Sequence, residues 1–149
     1  MKEVKKILVP VDFSENSVKL LQHAVDTAEK SAASLVVLYV VEGIDKYSGL
    51  SIPHISLSEV EKELVQSAQT KMELFLEEHL ESSPVPHEGV VLNGDIVDEI
   101  NNYAAKEGID MIIMGTHGYK GLEKVLFGSV AERVVKTASC PVLTFNPYK

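Results

Sequence analysis

Ile109-Asp-Met-Ile-Ile-Met-Gly-Thr-His-Gly-Tyr-Lys-Gly-Leu-Glu-Lys-Val-Leu-Phe-Gly-Ser129 decides the fold. Its first six residues are an almost unbroken apolar run, the pattern of a parallel strand covered on both faces. From Ser129 onward, Ala131, Val134, Val135 and Ala138 fall on one face at helical spacing, so the glycines between join a strand to a helix that starts at Ser129. A strand, a glycine-rich loop and a helix N-terminus are the parts of an anion site. Glycines let backbone N–H groups approach phosphate, and the helix start adds unpaired donors.

The spacing Gly115-x2-Gly118-x9-Gly128-Ser129 is neither Walker A nor Gly-x-Gly-x-x-Gly. Working outward, Lys5 to Val11 reads as a first strand with Pro10 near its end, where a missing donor is tolerated. Asp12 then stands at the carboxyl end of that strand, where open parallel sheets bind ligands, although Asp there also serves local turn and helix-start hydrogen bonds. Ser14 or Asn16 caps a first helix with an apolar stripe of Val18, Leu21, Val25 and Ala28, and Ser34 to Val41 is a second buried strand.

Between residues 42 and 57 periodicity is lost, and a gap this long suits a lid or a partner-binding loop. Ser58-Glu-Val-Glu61 reads as a capping box. It opens a long helix with Val60, Leu64, Ala68, Met72, Phe75 and Leu76 inward. His87 to Leu92 is a third strand, Asn93-Gly94 a turn, and Asp95 the cap of a helix that Gly108 ends. Val142 to Phe145 closes the chain as a fifth strand. The resulting βαβαβαβαβ order calls for a single α/β domain over residues 1–149, a doubly wound parallel five-stranded sheet with helices on both faces.

Composition narrows the function. The chain is 45% hydrophobic and 24% charged with a net charge of −8, an ordinary globular balance that disfavours nucleic acid and anionic membranes as partners. Residues 1–114 carry 9 Lys/Arg against 20 Asp/Glu and residues 115–149 carry 5 against 2, so basic charge gathers around and beyond the glycine loop. The lone Cys140 and the absence of a long apolar run fit a reducing, cytoplasmic location. His54, His79 and His87 show no metal-ligand spacing, and no Gly-x-Ser-x-Gly elbow is present, so no catalytic residue is assigned.

Ile7-Leu-Val-Pro-Val-Asp12, Gly94-Asp95, Gly108 to Gly115, Gly128-Ser-Val-Ala-Glu-Arg133 and Cys140-Pro-Val-Leu143 together resemble the universal stress protein family over nearly the whole chain. That resemblance implies a Rossmann-like sheet of order 3-2-1-4-5 and a site for ATP or a related adenine nucleotide. Its residues would be Pro10, Val11 and Asp12 against the adenosine and Val40 walling the adenine, with Met114, Gly115, His117, Gly118, Gly128, Ser129 and Val130 completing it. A divalent ion, Mg or Mn, would bridge the phosphates, its protein ligands unassigned. Position 119, often Arg in relatives, is Tyr119 here, leaving Lys120 or Lys124 as the nearby cations. The implied role is a stress-response binding module, with a slow ATPase or a nucleotidyl or phosphoryl transferase as the alternative. A receiver-type domain does not fit, because Asp12 lacks a neighbouring acid and the third strand ends in Asn93. In the 3-2-1-4-5 order the uncharged final strand is an edge, which predicts a homodimer paired through Val142–Phe145.

Overall fold

The computed structural model describes residues 2–42, 57–117 and 122–148, with side chains from Ser58 in the second stretch and from Gly128 in the third. Its elements are β1 (Lys6–Pro10), α1 (Glu15–Ser31), β2 (Ser34–Glu42), α2 (Leu57–Leu80), β3 (His87–Gly94), α3 (Ile96–Lys106), β4 (Met111–Gly115), α4 (Leu122–Thr137) and β5 (Val142–Phe145). The strands form one sheet of order β3-β2-β1-β4-β5, every neighbouring pair parallel. This is the expected architecture.

Strand side chains alternate between two cores. Ile7 and Val9 of β1 and Val11 just beyond it, with Leu35 and Val37 of β2, pack under Leu20, Leu21 and Ala24 of α1 and Met72 and Phe75 of α2. Leu8, Val36, Leu38, Val40, Ile112 and Met114 pack on the other face against Val97 and Ile100 of α3 and Val130, Ala131 and Val134 of α4. Most of these are fully buried, and each buried aliphatic side chain is worth about 1.5–3 kcal/mol, so both layers are strongly held. Helix starts follow the sequence where a cap is plain: Ser14 accepts from the Ser17 N–H, and Asp95 from the Asp98 N–H.

Four readings need correction. Asn93 and Gly94 are not a turn but the last residues of β3, in register with Val41 and Glu42, and Gly94 takes φ 152°, a conformation open to glycine. Helix α2 starts at Leu57, so Ser58 lies inside it. Leu64 is 44% exposed instead of inward. At 24 residues α2 is about 36 Å long, while the nine residues of β2 span only about 30 Å. The helix is longer than the strand by about 6 Å, and Ala68 is the first buried residue among its described side chains. The fourth correction concerns α4, which begins at Leu122, seven residues ahead of Ser129, and whose Val135, expected on the apolar face, is 52% exposed.

At the amino ends of the strands, the Asp110 carboxylate accepts from the Lys5 and Lys6 N–H groups at 3.0 Å each, with the Lys2 ammonium at 3.4 Å. The Lys5 backbone bond, then the Lys6 bond and the Lys2 charge, hold this carboxyl below its usual range against the opposing effect of burial. It ties the entry of β4 to the entry of β1. Segment 43–56, read as a lid or partner loop, lies outside the described residues.

Candidate functional site

In the order β3-β2-β1-β4-β5 the winding reverses between β1 and β4, and open parallel sheets bind ligands in the crevice that such a reversal makes at the carboxyl ends of the strands. Pro10 ends β1 there and is buried; Gly115 ends β4 there and is buried too. Beneath the crevice on the α3/α4 side, Val40, Met114 and Val130 meet in one apolar cluster. Val11 does not join them. Its side chain belongs to the α1/α2 cluster, and its N–H donates to the Leu38 carbonyl at 2.9 Å.

Asp12 turns the chain from β1 into α1. Its Oδ1 accepts the Ser14 N–H at 2.9 Å and the Ser17 hydroxyl at 2.7 Å, while its own N–H donates to Ser17 Oγ at 2.9 Å. The local hydrogen-bonding role open to Asp12 in the sequence is thus present. Phe13 follows at φ 65°, a left-handed conformation that costs a bulky residue about 1–2 kcal/mol. Its ring stacks on Tyr39 at 4.6 Å and meets Phe75 edge-on at 5.4 Å. Aromatic pairs are worth about 0.5–1.5 kcal/mol each, enough together to offset the strain. Burial, and then the negative charges of Asp12 and Glu42, push the Tyr39 phenol up, so it stays protonated at neutral pH.

Across the crevice, the Thr116 N–H donates to the Phe145 carbonyl at 2.9 Å, and Thr116 Oγ1 lies 2.7 Å from His117 Nδ1. The His117 ring meets the edge of Tyr148 at 5.0 Å, and the Tyr148 hydroxyl accepts from Asn16 Nδ2 at 3.4 Å. The end of the chain thereby reaches the start of α1 over the strand ends. Helix α4 crosses close to this point. A Cβ added at Gly128 would stand 3.2 Å from the Thr116 carbonyl oxygen, a tight approach to backbone.

Ser129 is exposed and Val130 buried, both inside α4 rather than at its first turn, where an interior N–H is engaged by the carbonyl four residues earlier. Gly118, Tyr119 and Lys120 lie outside the described residues, as does the Lys124 side chain.

Among the described residues, no three His, Cys, Asp or Glu side chains converge to hold a metal. Burial, with a smaller contribution from Asp110, pushes the Cys140 thiol up and away from nucleophile chemistry. Sequence reading missed Phe13, Tyr39 and Phe75 as neighbours of the site, and Tyr148 at its rim. Asp12-Phe-Ser14 carried a signal, since Asp two residues before Ser favours such a turn. Nothing local to Tyr148 announces its contact.

A model of the universal stress protein family matches residues 3–146. Universal stress protein MJ0531 of Methanocaldococcus jannaschii is 39% identical over 147 residues, covering 97% of this chain and 84% of the relative. The solved structure of protein MJ0577, 33% identical, superimposes with a TM-score of 0.79 and 97% coverage of both chains. A universal stress protein from Archaeoglobus fulgidus, solved in complex with dAMP, shares the fold at 20% identity, with a TM-score of 0.67 and coverage of 96% and 98%.

Proposed function

Because this chain belongs to the universal stress protein family, we propose that it binds an adenine nucleotide, ATP first among them, in the crevice between β1 and β4. The observation that carries this reading is the reversal of strand order at that crevice, floored by Val40, Met114 and Val130 and flanked by Asp12 and Gly115. An apolar floor with a few convergent polar groups is what a nucleobase requires. Pro10 and Val11 stand beside the adenosine with Asp12. The phosphates lie on the N–H groups of Gly115, His117 and Gly118 and on Ser129 and Val130, with the Ser129 hydroxyl on an outer phosphate. Inside α4 the last two N–H groups are helix donors. The reading therefore entails that the turns ahead of Ser129 unwind when phosphate binds. Bound dAMP in the Archaeoglobus fulgidus protein, an adenine nucleotide on the same fold, supports the base identity.

The proposed role is a cytoplasmic regulatory module rather than an enzyme. Asp12, the carboxylate beside the crevice, is hydrogen-bonded into the start of α1, and a phosphoryl-transfer site needs a residue free to orient the nucleophile. Among the described residues no helix is long and apolar enough to cross a membrane. The unit we propose is a homodimer. Among the described residues β5 pairs only with β4, and its Leu143 is 48% exposed, so a second copy of β5 satisfies the edge. Phe145 contributes little to that contact, since its ring lies 4.0 Å from His23 of α1. Mass spectrometry of nucleotide released from protein purified without added ligand tests the reading. Adenine nucleotide in near-stoichiometric yield supports it. Protein that releases none and takes up no ATP in calorimetry rejects it.

A further inference from the structure

Two described residues other than glycine have left-handed backbones, and they differ in kind. Ala32 closes α1, where its N–H bonds to the Ala28 and Glu29 carbonyls, an ordinary helix ending. Phe13 has no helix to close. It is a bulky aromatic residue in a conformation such residues avoid, and strain of this sort persists where surrounding structure over-determines it. Here the determinant is a run of rings: Tyr39 of β2 stacks on Phe13, Phe13 meets Phe75 of α2, and Phe75 meets His79 at 4.8 Å. The neighbour of Phe13 in the chain is Asp12, whose carboxylate is turned toward Ser14 and Ser17.

We propose that Phe13 is the positioning residue for Asp12: its ring, wedged between Tyr39 and Phe75, holds the turn that aims the Asp12 carboxylate, so that the nucleotide site is linked to the packing of α2. Two elements, β2 and α2, bear on one backbone torsion. Withdrawing α2 removes one face of the wedge, and the turn relaxes toward commoner backbone angles. Occupation of the site by a ligand that holds Asp12 in place favours the docked position of α2, since linkage between two sites is reciprocal. The exposed outer surface of α2, Leu64 included, is then the part of the molecule placed to report an occupied site. The functional weight of this inference rests on the reading that Asp12 meets the adenosine.

Phe13→Gly removes the ring and the backbone penalty together, so it separates aiming from overall stability. Phe13→Tyr keeps the ring, and Tyr39→Leu removes the stacking partner without touching the turn. In the ligand-free chain, amide exchange at Ser14, whose N–H is held by Asp12, should quicken about tenfold in Phe13→Gly and Tyr39→Leu, the scale of one lost hydrogen bond. Phe13→Tyr should match the native chain, and exchange at Leu8 and Val9 in β1 should stay slow in all three. Unaltered exchange at Ser14 overturns the proposal, whether or not nucleotide binds. With ATP, Phe13→Gly should raise Kd about tenfold but add nothing in an Asp12→Ala background, as expected for a residue acting through another. Fully additive losses would show Phe13 to be ordinary packing and overturn it. Quickened exchange at Ser14 in Phe13→Gly and Tyr39→Leu, together with a native chain that takes up no ATP, supports the hold of Phe13 on Asp12 and rejects the adenosine reading instead.

Discussion

Replacing Gly128 tests whether the close approach of α4 to the end of β4 belongs to a ligand site. In a helix interior Ala is favoured over Gly by about 1 kcal/mol, so Gly128→Ala should gain that much if space allowed. The new Cβ, however, would stand 3.2 Å from the Thr116 carbonyl oxygen. That carbonyl cannot retreat freely, because the Thr116 N–H is fastened to the Phe145 carbonyl at 2.9 Å. The helix must yield by a few tenths of an ångström, and the propensity gain and the crowding nearly cancel. Net stability should stay within about 1 kcal/mol of native. Gly128→Val adds two methyl groups at the same place and forfeits part of the propensity gain. The two sides of the proposed phosphate cradle, Gly115 with His117 and Ser129 with Val130, are then forced apart. Losing two hydrogen bonds to phosphate, at about 1.5 kcal/mol each for charged partners, weakens ATP at least about a hundredfold. Calorimetry with ATP, alongside thermal unfolding of the same samples, separates the two effects. A folded Gly128→Val that binds ATP as the native chain does would refute the cradle.

Three further outcomes are expected. Asp12→Ala should weaken ATP and adenosine by the same factor and also cost about 1–2 kcal/mol of stability, since the start of α1 loses its acceptor; loss of ATP binding with adenosine binding intact would instead place Asp12 at the phosphates or metal. Thr144→Pro removes a donor from β5 and should shift sedimentation from dimer toward monomer, whereas a native chain that is monomeric at micromolar concentration contradicts the dimer. Asp110 is held below its ordinary value near 3.8, so the unfolded chain binds the proton more readily; its contribution is present above that value and is lost as pH falls through the lower folded value. Acid titration of stability should therefore lose part of its slope below about pH 4 in Asp110→Asn, and an identical slope would show the three contacts to be inconsequential.

The strands were legible because a parallel sheet covered on both faces demands apolar runs, and Ile7 to Val11, Leu35 to Val41 and Met111 to Met114 can hardly be anything else. Strand order was legible only through the family resemblance, since runs of this kind do not say which neighbours they take. Asn93-Gly94 misled because turn chemistry is local, whereas pairing with Val41 and Glu42 is not. Gly128 misled in the same way. It reads as loop, yet its use is to let a helix pass close to Thr116, and Leu-Glu-Lys-Val-Leu-Phe ahead of it is composed of residues a helix accepts. The apolar floor of the site was half legible: Val40 and Met114 fall on one face by strand alternation, but the place of Val130 beside them depends on how α4 crosses the sheet. The conformation of Phe13 is invisible in the sequence, because nothing but its tertiary neighbours holds a bulky residue there.

Titration of the isotopically labelled chain with ATP, followed by amide chemical shifts residue by residue, tests the nucleotide site most directly. Shifts should concentrate at Val11, Asp12, Val40, Gly115, His117, Ser129 and Val130, with the last two also losing helical character, and spare the amino-end contact of Lys5 and Lys6 with Asp110. Shifts confined to the outer surface of α2 or β3, or none at all at millimolar ATP, would contradict it.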